Sequence, residues 1–101
     1  VATSNPSSAF EAALGLAINS THIYSVGYDS SGTSTQWRIE KRSVTTGALD
    51  GSFGLSGVVT SSPGAGDDQA TCVAIDATAI FVAGYETTPG NMEWRVEKRT
   101  P

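Results

Sequence analysis

The sequence predicts an all-β chain built from two copies of one antiparallel, four-stranded unit. Three observations carry this reading. The stretch Trp-Arg-Ile-Glu-Lys-Arg at 37–42 returns as Trp-Arg-Val-Glu-Lys-Arg at 94–99, and every Lys and Arg of the chain lies in one of the two. The offset between them, 94 − 37 = 57, aligns residues 1–44 with 58–101 without a gap, and 16 of those 44 positions are identical. Between these landmarks the apolar runs are of strand length, separated by Gly, Ser, Thr, Asn and Pro, and no stretch has helical periodicity. A self-similar period of this length marks a solenoid, a propeller or an array.

At 101 residues the chain has the size of one domain. Its formal charge of −4 argues against nucleic acid, whose phosphates need a basic face. No run approaches the ~20 apolar residues of a membrane-crossing helix, and no charged-then-apolar signal segment opens the chain. The sequence starts without Met, as expected of a processed chain or an excised piece. With one cysteine, Cys72, no internal disulfide forms. That suits a reducing compartment, and equally a secreted protein that does without bridges.

Val1-Ala2-Thr3-Ser4 is a short β-type run ended by Asn5-Pro6, where Pro supplies no amide donor. Ala13 to Ile18 reads as a strand, with Leu14, Leu16 and Ile18 on one face and Ala13, Gly15 and Ala17 on the other. A strand with no polar face is expected to be covered on both sides. Asn19-Ser20-Thr21-His22 turns the chain, and Ile23 to Tyr28 returns as the hairpin partner. After a polar loop from Asp29 to Thr35, period-two alternation puts Trp37, Ile39 and Lys41 on one face of the third strand. Arg38, Glu40 and Arg42 fall on the other. The turn-rich connection from Thr45 to Gly54 carries two apolar anchors, Leu49 and Phe53. Gly57 to Ser61 is the fourth strand, closed by Pro63-Gly64. The cycle restarts with Thr71 to Asp76, Ile80 to Tyr85 and Glu93 to Arg99, for eight strands in two groups of four.

A four-stranded antiparallel sheet repeated at ~40–50 residues is the pattern of propeller blades. The residues Val73-Ala74-Ile75-Asp76, Ile80-Phe81-Val82-Ala83-Gly84-Tyr85 and the run Gly47-Ala48-Leu49-Asp50-Gly51-Ser52-Phe53-Gly54 through Gly57-Val58-Val59 carry a resemblance. They resemble the bacterial delta-60 β-propeller repeat, related in its blade pattern to kelch. The resemblance spans the whole chain as one full repeat and most of another. It departs from the family at the first hairpin turn, where Asn19 to His22 and Asp76 to Ala79 stand in place of an Asp-Gly turn. It implies a propeller with no known catalytic residues. No cofactor and no metal are expected, and the compartment stays open, with a bacterial, secreted or cell-surface setting placed ahead of a cytoplasmic one.

By analogy with kelch blades the small-residue strand is innermost, followed by the Tyr strand, the Trp-Arg strand and the Val-Val-Thr strand. Residues 13–61 then make the first blade and 71–100 the second, which lacks its own outer strand. Residues 1–4 are expected on the edge of that second blade, in trans or in cis. Two blades do not close a ring, because propellers have ~4–8. The expectation is therefore a homo-oligomer closed by a heterologous contact, a trimer or a tetramer, unless the chain is a fragment of a larger propeller.

The candidate ligand-binding set is Tyr28, Trp37, Arg38 and Glu40 with its copy Tyr85, Trp94, Arg95 and Glu97. Arg forks suit carboxylates, phosphates and sugars, and an adjacent Trp suits a lectin-like carbohydrate site between blades. The competing reading makes Arg38-Glu40-Arg42 and Arg95-Glu97-Arg99 scaffolding between blades, with Trp as inter-blade core, since buried polar groups need internal partners. Asp67-Asp68 is weighed as a hard-cation or enzymatic site at a channel, but the first copy has Phe10-Glu11 there, so a solvated loop is expected. His22 is expected to be an exposed hairpin residue, and Cys72 a buried, inert thiol on the inner strand. The function expected is a non-enzymatic binding or interaction module. Its partner is expected to be itself, with a glycan or small molecule as a further ligand.

Overall fold

Asn19 and Asp76 decide where the first hairpin of each copy turns. Asn19 Oδ1 accepts from the amides of Thr21 and His22 at 2.9 and 2.8 Å, and Asp76 Oδ1 accepts from Thr78 and Ala79 at 2.8 and 2.9 Å. A side-chain oxygen that binds the amides two and three residues on mimics a backbone turn, which is why either residue type serves. The computed structural model describes residues 2–4, 10–31, 34–62 and 64–101.

Seven strands form among these residues: β1 (Ala12–Ile18), β2 (His22–Ser31), β3 (Ser34–Ser43), β4 (Val58–Ser61), β5 (Gln69–Ile75), β6 (Ile80–Thr88) and β7 (Asn91–Arg99). They make a four-stranded sheet in the order β1-β2-β3-β4 and a three-stranded sheet in the order β5-β6-β7. Every ladder is antiparallel. The all-β class, the absence of helix among the described residues and the neighbour order within each sheet match the sequence reading. The expected eighth strand, residues 1–4, is not among these seven. Residues 2–4 have no ladder, Val1 lies outside the described residues, and so do the Asn5-Pro6 turn and Pro63. A strand needs a neighbour for its amides, and within this chain residues 2–4 pair with no strand, Ser4 meeting the Glu40 side chain of β3 instead.

The sequence alternation on the first strand is also corrected. The β1–β2 register slips between Ala13 and Gly15, leaving Leu14 as an extra residue. Ala13, Leu16 and Ile18 therefore share a face with Gly27, Ser25 and Ile23, while Gly15 and Ala17 join Val26 and Tyr24. The same bulge recurs between Ala70 and Cys72. Its cause is visible at the partner glycines. A Cβ on Gly27 would overlap the Ala12 carbonyl, and one on Gly84 would overlap that of Gln69. Only a residue without a side chain lets the bulged strand pass so close.

The two sheets stack face to face. Tyr24, Val26, Trp37 and Ile39 of the first meet Ala70, Ile80 and Val82 of the second in one buried cluster, with Val59, Val73 and Ile75 packed against it. Phe53, one of the two expected anchors, closes the end of this cluster edge-on to Tyr24 at a centroid distance of 6.0 Å. Leu49, the other, bridges to Arg42 and stays partly exposed. A polar strap ties the β4–β5 connection to the first sheet. Thr35 donates its amide to Asp67 Oδ1 at 3.0 Å and accepts at its carbonyl from the Asp68 amide at 3.0 Å.

Candidate functional site

Alternation on β3 and β7 splits each candidate set between two faces. Tyr28 pairs with Trp37 across the β2–β3 ladder, and Gly27 pairs with Arg38, so the aromatics share one face and Arg38 with Glu40 share the other. Tyr85–Trp94 and Gly84–Arg95 repeat this division. The eight residues therefore do not converge on one site.

The charged halves close on themselves. Arg38 donates from Nε to Glu40 Oε2 at 2.7 Å and from a terminal nitrogen to Asp29 Oδ2 at 3.1 Å. Arg42 reaches the other Glu40 oxygen at 3.1 Å, and Ser4 Oγ donates to Glu40 Oε2 at 2.7 Å. The second copy repeats each contact. Arg95 binds Glu97 at 2.7 Å and Glu86 at 3.4 Å, Arg99 binds Glu97 at 2.8 Å, and Ser61 Oγ donates to Glu97 at 3.4 Å. Burial pushes both glutamates up. Hydrogen bonds outweigh it, from Ser4, Arg38 and Arg42 on Glu40 and from Arg95 and Arg99 on Glu97, and hold both below the usual carboxylate value. Arg95 is pushed up by Glu97 in turn. The acidic partners Asp29 and Glu86 were missed in the sequence. Their signal was there: an acid stands at both positions of the 57-residue repeat.

The aromatic halves differ sharply. Trp37 is 0% exposed, and its Nε1 donates to the Tyr85 carbonyl across the sheet–sheet interface at 2.9 Å. Trp94, at the same place in the other sheet, is 96% exposed, and Val96 beside it is 71% exposed where its counterpart Ile39 is buried. Full burial of a Trp is worth about 4–6 kcal/mol at ~25 cal/mol per Å², whereas an exposed ion pair contributes ~0–1 kcal/mol. Of the groups on the second sheet's outer face, Trp94 has the most to gain from a partner.

A cavity of about 340 Å³ lies on the opposite side of the molecule. It is lined by Ala2 and Ser4, by Leu16 and Ile23, and by the Arg38 and Glu40 face of the first sheet. Leu16 is exposed there, and Ile18 is exposed on the same face of β1. Burial leads the causes that raise the Tyr85 hydroxyl, followed by Asp67.

Three further sequence expectations are overturned. Asp68 is fully buried, not solvated: Oδ1 accepts the Thr87 amide at 2.9 Å, and Oδ2 accepts the Gly64 amide at 3.1 Å and Ser62 Oγ at 3.4 Å. With these donors spending its oxygens, it works as a strut between β6 and the connection ahead of β5, and no group of three metal-ligating side chains occurs among the described residues. His22 is not a free hairpin residue. Its Nε2 lies 3.1 Å from Asp50 Oδ2, which also takes Lys41 Nζ at 3.4 Å. Hydrogen bonds from Ser52 hold Asp50 down to about 2. Cys72 is exposed, because its face of β5 has no sheet over it. No family model matches the chain, and neither a curated protein nor a solved structure is significantly similar to it.

Proposed function

We propose that this chain is a non-enzymatic interaction module of β-propeller type, whose sheets stack on copies of themselves to close a homo-oligomeric ring. One observation carries the reading: the face that the first sheet buries through Trp37 and Ile39 is presented uncovered by the second through Trp94 and Val96. Two surfaces of one chain, one of each kind, make a heterologous contact, and such contacts close into rings when the rotation allows. Rings of ~4–8 sheets correspond to two, three or four chains, of which three or four are the preferred closures. The polar residues favour scaffolding over chemistry, since each Arg-Glu-Arg set is already satisfied internally. Sedimentation velocity across a dilution series tests this. A single sharp species of three or four chains is expected, and a monomer at every concentration contradicts it.

A second reading has its own observation. Trp94 and Tyr85 sit side by side across the β6–β7 ladder on the uncovered face, a surface on which a sugar ring stacks. It requires glycan binding that Trp94→Ala removes without changing the mass of the particle.

A further inference from the structure

Resting on the self-assembly reading, we infer that the cavity between residues 2–4 and the first sheet is a socket for Trp94 of a second copy of this chain. Residue by residue, the cavity is the first-copy counterpart of the surface that holds Trp37. Ala13, Leu16, Ile23, Ser25, Gly27 and Tyr28 line it. Moved by 57 they become Ala70, Val73, Ile80, Val82, Gly84 and Tyr85. Of those, Ala70, Ile80 and Val82 are buried in the cluster with Trp37, Val73 packs against it, and the Tyr85 carbonyl takes the Trp37 N–H. Exchanging the two copies of the repeat carries Trp37 to Trp94 and the Tyr85 carbonyl to that of Tyr28. The occupied interface within the chain thus specifies the unoccupied one between chains, with Trp94 Nε1 donating to the Tyr28 carbonyl of the second copy.

An independent contact supports the placement. Ser61, on the outer strand of the first sheet, reaches across to Glu97 of the second. Ser4, 57 residues earlier, reaches Glu40 in the same way. Residues 2–4 therefore already lie over the first sheet where the outer strand of a preceding sheet would lie. When β7 of a second copy arrives with Trp94 in the socket, its free edge comes alongside them. The β3–β4 register sets Ser61, Thr60 and Val59 opposite Trp37, Arg38 and Ile39. Its equivalent sets Ser4, Thr3 and Ala2 of one chain opposite Trp94, Arg95 and Val96 of the other, so that the three-stranded sheet gains a fourth strand in trans.

Two variants of the full chain separate the halves of the contact. Trp94→Asp disables the indole and leaves the socket; Leu16→Asp disables the socket and leaves the indole. Both positions are exposed, so each variant keeps its fold. Each alone is expected to be monomeric. An equimolar mixture is expected to give a one-to-one dimer, with a blue shift in the emission of Trp94, since Trp37 is already buried in both chains. Association of either variant alone, or a mixture that stays monomeric while the wild-type chain associates, overturns the socket and leaves the self-assembly reading standing. A wild-type chain that never associates overturns both.

Discussion

Trp37 and Trp94 occupy the same position in two copies of one sheet, yet one indole is sealed between sheets and the other is almost entirely bare. The difference is not in the five residues that follow each, which are the same but for Ile39 and Val96. It lies in what covers each face.

The two indoles therefore respond differently to truncation. Trp37→Ala is expected to destabilise the chain by about 3–5 kcal/mol, because it empties the centre of the cluster and strands the Tyr85 carbonyl. Trp94→Ala is expected to change the stability of the dilute chain by less than ~0.5 kcal/mol. Urea denaturation of both variants at low concentration checks the contrast.

At the bulges, Gly27→Ala and Gly84→Ala are each expected to cost about 1–3 kcal/mol, since the new methyl overlaps backbone that cannot move aside. Gly51→Ala is the control. A methyl there meets nothing within 4 Å, and the substitution is expected to be neutral or stabilising by up to ~1 kcal/mol. Thermal melts of the three variants side by side decide it.

Acid is expected to weaken the fold in a defined window. Glu40 and Glu97 lie below their ordinary 4.5 in the folded chain, and Asp76, held by the Thr78 and Ala79 amides, lies below 3.8. The folded state then binds fewer protons than the unfolded chain. Their contribution is complete above about pH 5 and is lost as pH falls through the folded values. Asp50, lowered from 3.8 to about 2, extends the loss to the acid end of that range. Glu40→Gln is expected to cost about 1–3 kcal/mol at pH 7 and to flatten the profile below pH 4.5, read by denaturation at a series of pH values.

Cys72 provides a native reporter for the open face. It lies in the same cross-strand row as Ala83 and Val96, and is exposed in the single chain. Its reaction with a thiol reagent is expected to slow at least tenfold at concentrations where the chain assembles, and to stay fast in Trp94→Asp at every concentration. Equal rates in both proteins at high concentration contradict the assignment of this face.

The strands, their order and the two faces of β3 were legible because they rest on local alternation and on the repeat. What escaped was whatever depends on a neighbour distant in sequence. The bulge at Leu14 is written in Gly27, on another strand, so alternation within the first strand alone mis-sorted Ala13 and Leu14. Asp68 looked like a loop residue, and only the fold brings the Thr87 and Gly64 amides to it. Cys72 looked buried because an inner strand of small residues is usually covered, and His22 looked free because Asp50 lies 28 residues on, across the turn-rich connection. The candidate site was legible as a set of residue types, but its division between two faces follows from pairing each residue across its ladder.

The most direct test of the central claim is absolute mass by light scattering behind a sizing column, with wild type and Trp94→Asp run at the same concentrations. A wild-type particle of three or four chains beside a folded, monomeric Trp94→Asp is the predicted result. A wild-type chain that remains monomeric contradicts it, and a variant that assembles as the wild type does contradicts the part assigned to Trp94.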